Sequence, residues 1–188
     1  MEDTYRIEKL EQIRLLADPL KLQLLQCFAE GEHTTKEVAE KLGERVTKLY
    51  RHVDALHDAG LLEVVQETPK RGTVERTFRA VARRFEAAEG LFRGGDGDEQ
   101  SDAVRELLRA GEDEIMASFE QVEEGEEEAF LMTRLRIKAS PQRLAELREE
   151  LAAWLESVQE EACDAEADDA TLEEVGALVA FYPIKAKD

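Results

Sequence analysis

The sequence predicts an α+β chain in two parts: helices followed by a β-hairpin in the first half, then helix–strand–helix–strand in the second. Three observations carry this. Up to Gly60, apolar residues recur at helical spacing and are punctuated by capping signals. Beyond Gly60 the period shortens, and runs rich in Val, Leu, Thr and Phe flank the turn signal Pro69-Lys70-Arg71-Gly72. Past the polar stretch Gly94-Gly95-Asp96-Gly97-Asp98, helical patterns alternate with two short strand-like runs. The expected division is a first domain at 1–92, a linker at 93–100 and a second domain at 101–188.

The first helix is expected from Thr4 to Leu16, with Tyr5, Ile7, Leu10, Ile13, Leu15 and Leu16 on a broad apolar face. It is too short to stand alone in water and must dock. Asp18-Pro19 is an N-cap followed by proline at the first helical position, which starts a helix over Pro19–Glu30. Leu20, Leu22, Leu24, Leu25 and Phe28 make one side of it apolar, Cys27 falls in its core, and Gly31 ends it.

Thr34 followed three residues later by Glu37 is a capping box. The helix it opens carries Val38, Ala39 and Leu42 on one face and stops at Gly43. A second helix over 45–59 places Val46, Leu49, Val53 and Leu56 on one side and stops at Gly60. Two short helices joined at a glycine-containing turn form a helix-turn-helix. Thr47, Lys48, Tyr50 and Arg51 lie off the apolar face, the layout of a helix packed on one side and offered to DNA on the other.

Leu61–Thr68 and Thr73–Val81 then read as two strands of a hairpin, the wing of a winged helix. Lys70, Arg71 and Arg76 stand at or near its tip, and Arg79, Arg83 and Arg84 follow. A charged hairpin is ordinarily just solvated. Its position beside a recognition helix points to phosphate or minor-groove contact instead, most of all for Arg71.

Ala82–Leu91 is expected as a short helix. The alternating Gly and Asp of Gly94–Asp98 lack the twelve-residue calcium-loop pattern with its terminal Glu, so they read as linker. Ser101 is an N-cap for a helix from Asp102 to about Val122, and Glu123–Glu128 is a solvated acidic turn. From Met132, apolar Met132, Leu135 and Ile137 alternate, with one slip, against Arg134, Arg136 and Lys138, a strand with a basic face. Ser140-Pro141 starts a helix to about Ala162 with Leu144, Leu147, Leu151, Trp154, Leu155 and Val158 on one stripe. Thr171 with Glu174 is a further capping box, and Ala177–Ile184 reads as a last strand, whose end Pro183 places at a sheet edge or terminus. Two strands are too few for an independent sheet, one reason to expect a dimer. Met132, Trp154, Phe181 and Tyr182 are candidates to line a small-molecule pocket in this half, against the plainer reading of core or dimer-interface packing.

Composition bounds the function. The chain has 188 residues, 43% of them hydrophobic, and a net charge of −19. Residues 1–90 hold 15 Lys and Arg against 17 Asp and Glu, a net of −2, whereas residues 91–188 hold 10 against 27, a net of −17. Within 36–84 the count is 11 against 8, a net of +3. A local basic surface can bind phosphates while an acidic remainder suppresses non-specific binding. No apolar run reaches the roughly 18 residues of a membrane span, and the charged start MEDTYRIEKL has no signal-peptide core. A cytoplasmic protein is expected. Cys27 and Cys163, far apart and unaccompanied, form neither a disulfide framework nor a zinc site.

The run LADPLKLQLLQCFAEGEHTTKEVAEKLGERVTKLYRHVDALHDAGLLEVV resembles the winged-helix domain of ArsR-type transcription regulators. Ala17-Asp18-Pro19, the Thr34–Gly43 helix and LYRHVDAL…AGLL at Leu49–Leu62 carry the resemblance, and RGTVERTFRAVARRF extends it to about Phe85. The strand–helix–strand at the end is similar to extensions of a non-metal branch of these regulators. The resemblance implies a homodimer, each recognition helix entering one major groove of a pseudopalindromic operator on double-stranded DNA. It implies that Thr47, Lys48, Tyr50 and Arg51 face DNA, and that Thr34 and Thr35 open the supporting helix where backbone N–H groups and hydroxyls hold a phosphate.

Metal-sensing members carry a Cys-x-Cys pair at the start of the recognition helix or His/Asp pairs in a terminal helix. Here that segment is Gly43-Glu44-Arg45-Val46, and His52 and His57, five apart, have a poor bite for one metal, while His33 stands alone. No metal or other cofactor is expected. A homodimeric repressor is the leading reading, with a small-molecule effector as a further candidate partner. The alternative is a protein-interaction module that uses the winged helix and the acidic half without DNA. No Ser/His/Asp or Cys/His constellation and no phosphate-cradling glycine loop points to an enzyme.

Overall fold

The computed structural model describes residues 2–88, 91, 98–122, 130–164 and 175–184. The chain forms two compact units, residues 1–114 and residues 115–188. Its elements run β1 (Glu2–Ile7), α1 (Leu10–Leu16), α2 (Pro19–Glu30), β2 (His33–Thr34), α3 (Thr35–Lys41), α4 (Val46–Asp58), β3 (Leu62–Lys70), β4 (Thr73–Ala80), β5 (Ala82–Ala87), α5 (Asp98–Gln121) and α6 (Pro141–Asp164). The mixture of helices and small sheets is α+β.

In the first unit, the side chain of Asp18 accepts from Leu20 N and Lys21 N and so caps α2, with Pro19 at its first position. Thr34 Oγ1 accepts from Glu37 N at 3.2 Å while Glu37 Oε2 accepts from Thr34 N at 2.7 Å, so the expected capping box opens α3. Helices α3 and α4 end alike. Past α4, Gly60 N donates to His57 O and Leu61 N to Leu56 O, both at 2.9 Å, with Gly60 at φ +75. That left-handed residue closes a Schellman motif, which glycine enters without a Cβ penalty.

One core joins three helices to the hairpin. Leu24, Leu25, Cys27 and Phe28 of α2, Val38 and Ala39 of α3, and Leu49, Val53 and Leu56 of α4 pack with Leu61, Leu62, Phe78 and Ala80. Burying side chains of this size contributes about 1.5–3 kcal/mol each. Helix α2 is the floor expected from its apolar side, with Cys27 buried.

The sheet beside it has the order β2-β4-β3, all antiparallel. Register partners run from Leu62↔Ala80 to Lys70↔Thr73, with an irregularity between Val64 and Gln66. This is the expected wing, turned at Arg71-Gly72 with Gly72 at φ +83.

Two expectations are corrected together. Residues 4–7 belong to β1 rather than to a helix over 4–16, and residues 82–87 form β5 rather than a helix over 82–91. The two pair in parallel, Tyr5 opposite Phe85 and Ile7 opposite Ala87. Thr4, Tyr5 and Ile7 are β-branched or aromatic and favour a strand once a partner exists, and the Tyr5 and Phe85 rings meet at 5.9 Å. Ile7 then packs in a second cluster with Ile13, Leu91 and Ala103.

Helix α5 begins at Asp98, so Ser101 lies inside it and is not its cap. Residues 98–100 of the expected linker are helical, and its residues 93–97 lie outside the described residues, as do the acidic run 123–128 and the Thr171/Glu174 capping box. In the second unit the Phe119 and Phe130 rings make an edge contact at 5.9 Å. Ser140 starts α6, its Oγ accepting from Arg143 N at 3.2 Å and its carbonyl from Leu144 N at 3.0 Å. The strands expected from Met132 and over Ala177–Ile184 are not formed among the described residues: 130–140 and 175–184 carry no regular secondary structure. Strand geometry is fixed by a neighbouring ladder, and neither segment pairs with one.

Candidate nucleic-acid interface

Helix α4 has two unlike sides. Leu49, His52, Val53 and Leu56 are buried, and Thr47, Lys48, Tyr50 and Arg51 are exposed. The four residues expected to face DNA therefore share the solvent side, with Tyr50 at 52% exposure. Lys48 Nζ donates to Glu44 Oε1 at 2.5 Å, and that bond holds the Glu44 carboxyl below its usual range. Such an exposed pair is worth about 0–1 kcal/mol, so a phosphate can take the lysine from it. Arg51 Nε donates to His52 Nε2 at 3.3 Å, leaving the terminal guanidinium nitrogens without a partner among the described residues.

The two helix starts differ. At α3, the Thr34 amide and hydroxyl are both engaged by the Glu37 carboxylate, the hydroxyl at 2.9 Å, and Thr35 is only 5% exposed. The backbone hydrogen bond from Thr34 lowers the Glu37 pKa, with the hydroxyl adding to it. A carboxylate thus already sits where Thr34 and Thr35 were expected to hold a phosphate. At α4 the N-cap is Arg45, whose side chain makes no capping bond. The Arg45 side chain is exposed and has no partner among the described residues. It was missed from the expected site although its sign, a cation directly ahead of the recognition helix, was legible.

The wing cations are not equivalent. Arg76 Nε donates to Glu67 Oε1 at 2.9 Å, and the two are direct cross-strand partners. Lys70 Nζ lies 3.2 Å from Glu75 Oε2. Arg79 is held by Glu63 at 2.8 Å and by Glu32 at 3.2 Å, and these carboxylates, Glu63 first, raise its pKa. Arg84 donates from Nε to Thr4 Oγ1 in the β1–β5 pair. Arg71, on the turn, is exposed and has no partner among the described residues. Among the described residues, the hairpin thus offers one free cation at its tip and two more held by weak surface pairs.

The pocket candidates of the second unit, Met132, Trp154, Phe181 and Tyr182, are all exposed, from 46% to 77%. Among the described residues, no group of three or more His, Cys, Asp or Glu side chains is arranged to hold a metal ion. No helix among them is long and apolar enough to cross a membrane.

Residues 16–65, from the last residue of α1 into β3, match the family model described as a helix-turn-helix domain. No curated protein matches the chain. The matched span contains the capping box, both Schellman turns and the whole exposed face of α4.

Proposed function

We propose that the protein is a sequence-specific double-stranded DNA-binding transcription regulator of the ArsR type, in its non-metal branch. It acts as a cytoplasmic homodimeric repressor on a pseudopalindromic operator and has no enzymatic activity. The recognition helix α4 enters the major groove, and the β3–β4 wing follows the adjacent backbone. One observation carries the reading: α4 buries its apolar side in the core of a helix-turn-helix and leaves Thr47, Lys48, Tyr50 and Arg51 exposed beside a hairpin tipped by Arg71. Arginine forks to guanine O6 and N7, and hydroxyl and amine donors engage phosphates or bases. The second unit supplies the dimer contact and any effector site.

Pull-down of genomic DNA fragments on the purified protein, followed by sequencing, tests the reading. Enrichment of fragments sharing a two-fold symmetric site supports it, and enrichment of none refutes it. On the enriched site, Arg51→Ala and Arg71→Ala lower affinity without lowering the melting temperature, by roughly 1–3 kcal/mol where a base contact is lost. Unchanged binding by both variants refutes the assignment of this face.

A further inference from the structure

His52 is the one polar side chain among the buried residues of α4, 9% exposed. Its Nε2 accepts from Arg51 Nε at 3.3 Å. A ring nitrogen that accepts carries no proton, so in the neutral imidazole the proton is on Nδ1. That Nδ1 has no hydrogen-bond partner among the described residues and faces Asp18 Oδ2 at 3.7 Å, too far for a hydrogen bond but close enough for attraction. Asp18 is the cap of α2 and is also bonded to the Lys21 ammonium. The chain of contacts therefore runs from the start of the floor helix, through a buried imidazole, to the exposed arginine of the recognition helix.

We propose that His52 is a positioning residue for DNA reading: it holds the Arg51 guanidinium through Nε2 while Asp18 orients its ring from the other side. The proposal rests on the DNA-binding reading. Arginine loses rotamer freedom when it docks, and a side chain already fixed at Nε loses less while its terminal nitrogens stay available to fork to a base. The arrangement requires the neutral ring, because a protonated Nε2 cannot accept and would set two cations face to face. Burial disfavours the imidazolium, Asp18 opposes that, and Lys21, Arg51 and Lys48 add to it, so the His52 pKa lies below its usual value. His52 is then neutral near pH 7 and releases Arg51 as it protonates in acid.

The test is a double-mutant cycle on the duplex that wild-type protein selects from a random-sequence pool. His52→Phe keeps the ring volume but removes the acceptor. It is expected to weaken binding about tenfold with Arg51 present and less than about twofold in the Arg51→Ala background. Equal losses in both backgrounds, or none in either, overturn the proposal, since a purely structural histidine would act regardless of Arg51. His52→Gln keeps an acceptor and is expected within about threefold of wild type. Its pH profile carries the test if His52→Phe does not fold. As pH falls from about 7 to well below the ordinary imidazole value of about 6.5, wild type loses affinity relative to His52→Gln, and profiles that stay parallel down to the pH at which the fold itself is lost overturn the proposal. A wild-type protein that selects no duplex refutes the DNA-binding reading itself, and this inference falls with it. That outcome is distinct from selective binding with additive variants.

Discussion

Neutralising the wing glutamates measures whether the hairpin lies on DNA. In Glu67→Gln and Glu75→Gln the carboxylates that hold Arg76 and Lys70 become amides of nearly the same shape. The side chains of these pairs are 37–54% exposed, so losing each pair changes stability by at most about 1 kcal/mol. Each variant adds one net positive charge to the hairpin. If that charge meets a phosphate, the slope of log K against log salt steepens by about 0.9 per site. The polyelectrolyte contribution vanishes near 1 M salt, so a slope change of about 0.9 is roughly an eightfold gain in affinity at about 0.1 M, and both variants together gain at most about sixtyfold. Fluorescence anisotropy of a labelled duplex across a KCl series reads both quantities. An unchanged slope in the double variant, with the melting temperature preserved, would refute the placement of the wing on the backbone and leave α4 to account for binding alone.

Three further outcomes are expected. Gly60→Ala should lower stability in a denaturant melt by about 1–2 kcal/mol, because a Cβ there meets nothing within 4 Å and the whole effect comes from φ +75; an unchanged midpoint would mean that the turn relaxes freely. Thr34→Ala should lower stability by about 0.5–2 kcal/mol through loss of the α3 capping box, with Thr34→Ser restoring most of it, and equal losses in the two variants would argue against the cap. For Asp18, burial raises the pKa but is outweighed by the Lys21 side-chain and backbone hydrogen bonds and by the Lys21 and His52 charges, so it lies below 3.8. A group lowered on folding contributes stability that is present above its unfolded pKa and lost as pH falls through the folded one. Acid titration of Asp18→Asn should therefore show a shallower loss of stability below about pH 4 than wild type, and superimposable curves would contradict the assignment.

What could be read from the sequence was local. A capping box spans four residues and a Schellman glycine closes on the previous turn, so α2, α3 and α4 were legible with their ends, and the face of α4 followed from its period. The β1–β5 pair was not legible for the opposite reason. Tyr5, Ile7, Leu10 and Ile13 fit a helical stripe as well as a strand followed by a helix. The deciding partner, Phe85, lies eighty positions away in sequence. Nor does spacing reveal which wing cations are already taken. Glu67 meets Arg76 only because of the hairpin register. Spacing alone offers His52 only as a poor metal ligand, because its contact with Asp18 depends on how the start of α2 meets α4. The runs from Met132 and Ala177 have strand-like alternation, but alternation specifies a face and not a partner.

The parallel sense of β1 and β5 has a mechanical consequence. In a parallel pair, the start of one strand and the end of the other lie at opposite ends of the ladder. A pull applied between residue 2 and residue 88 therefore runs along the strands, and the rungs, lying across it, carry the load together. An antiparallel pair pulled from adjacent ends would open like a zipper, one rung at a time. The segment leading out of the wing toward α5 is thus fastened to the beginning of the chain in shear, and tension arriving there is spread over the whole ladder before it reaches the recognition helix.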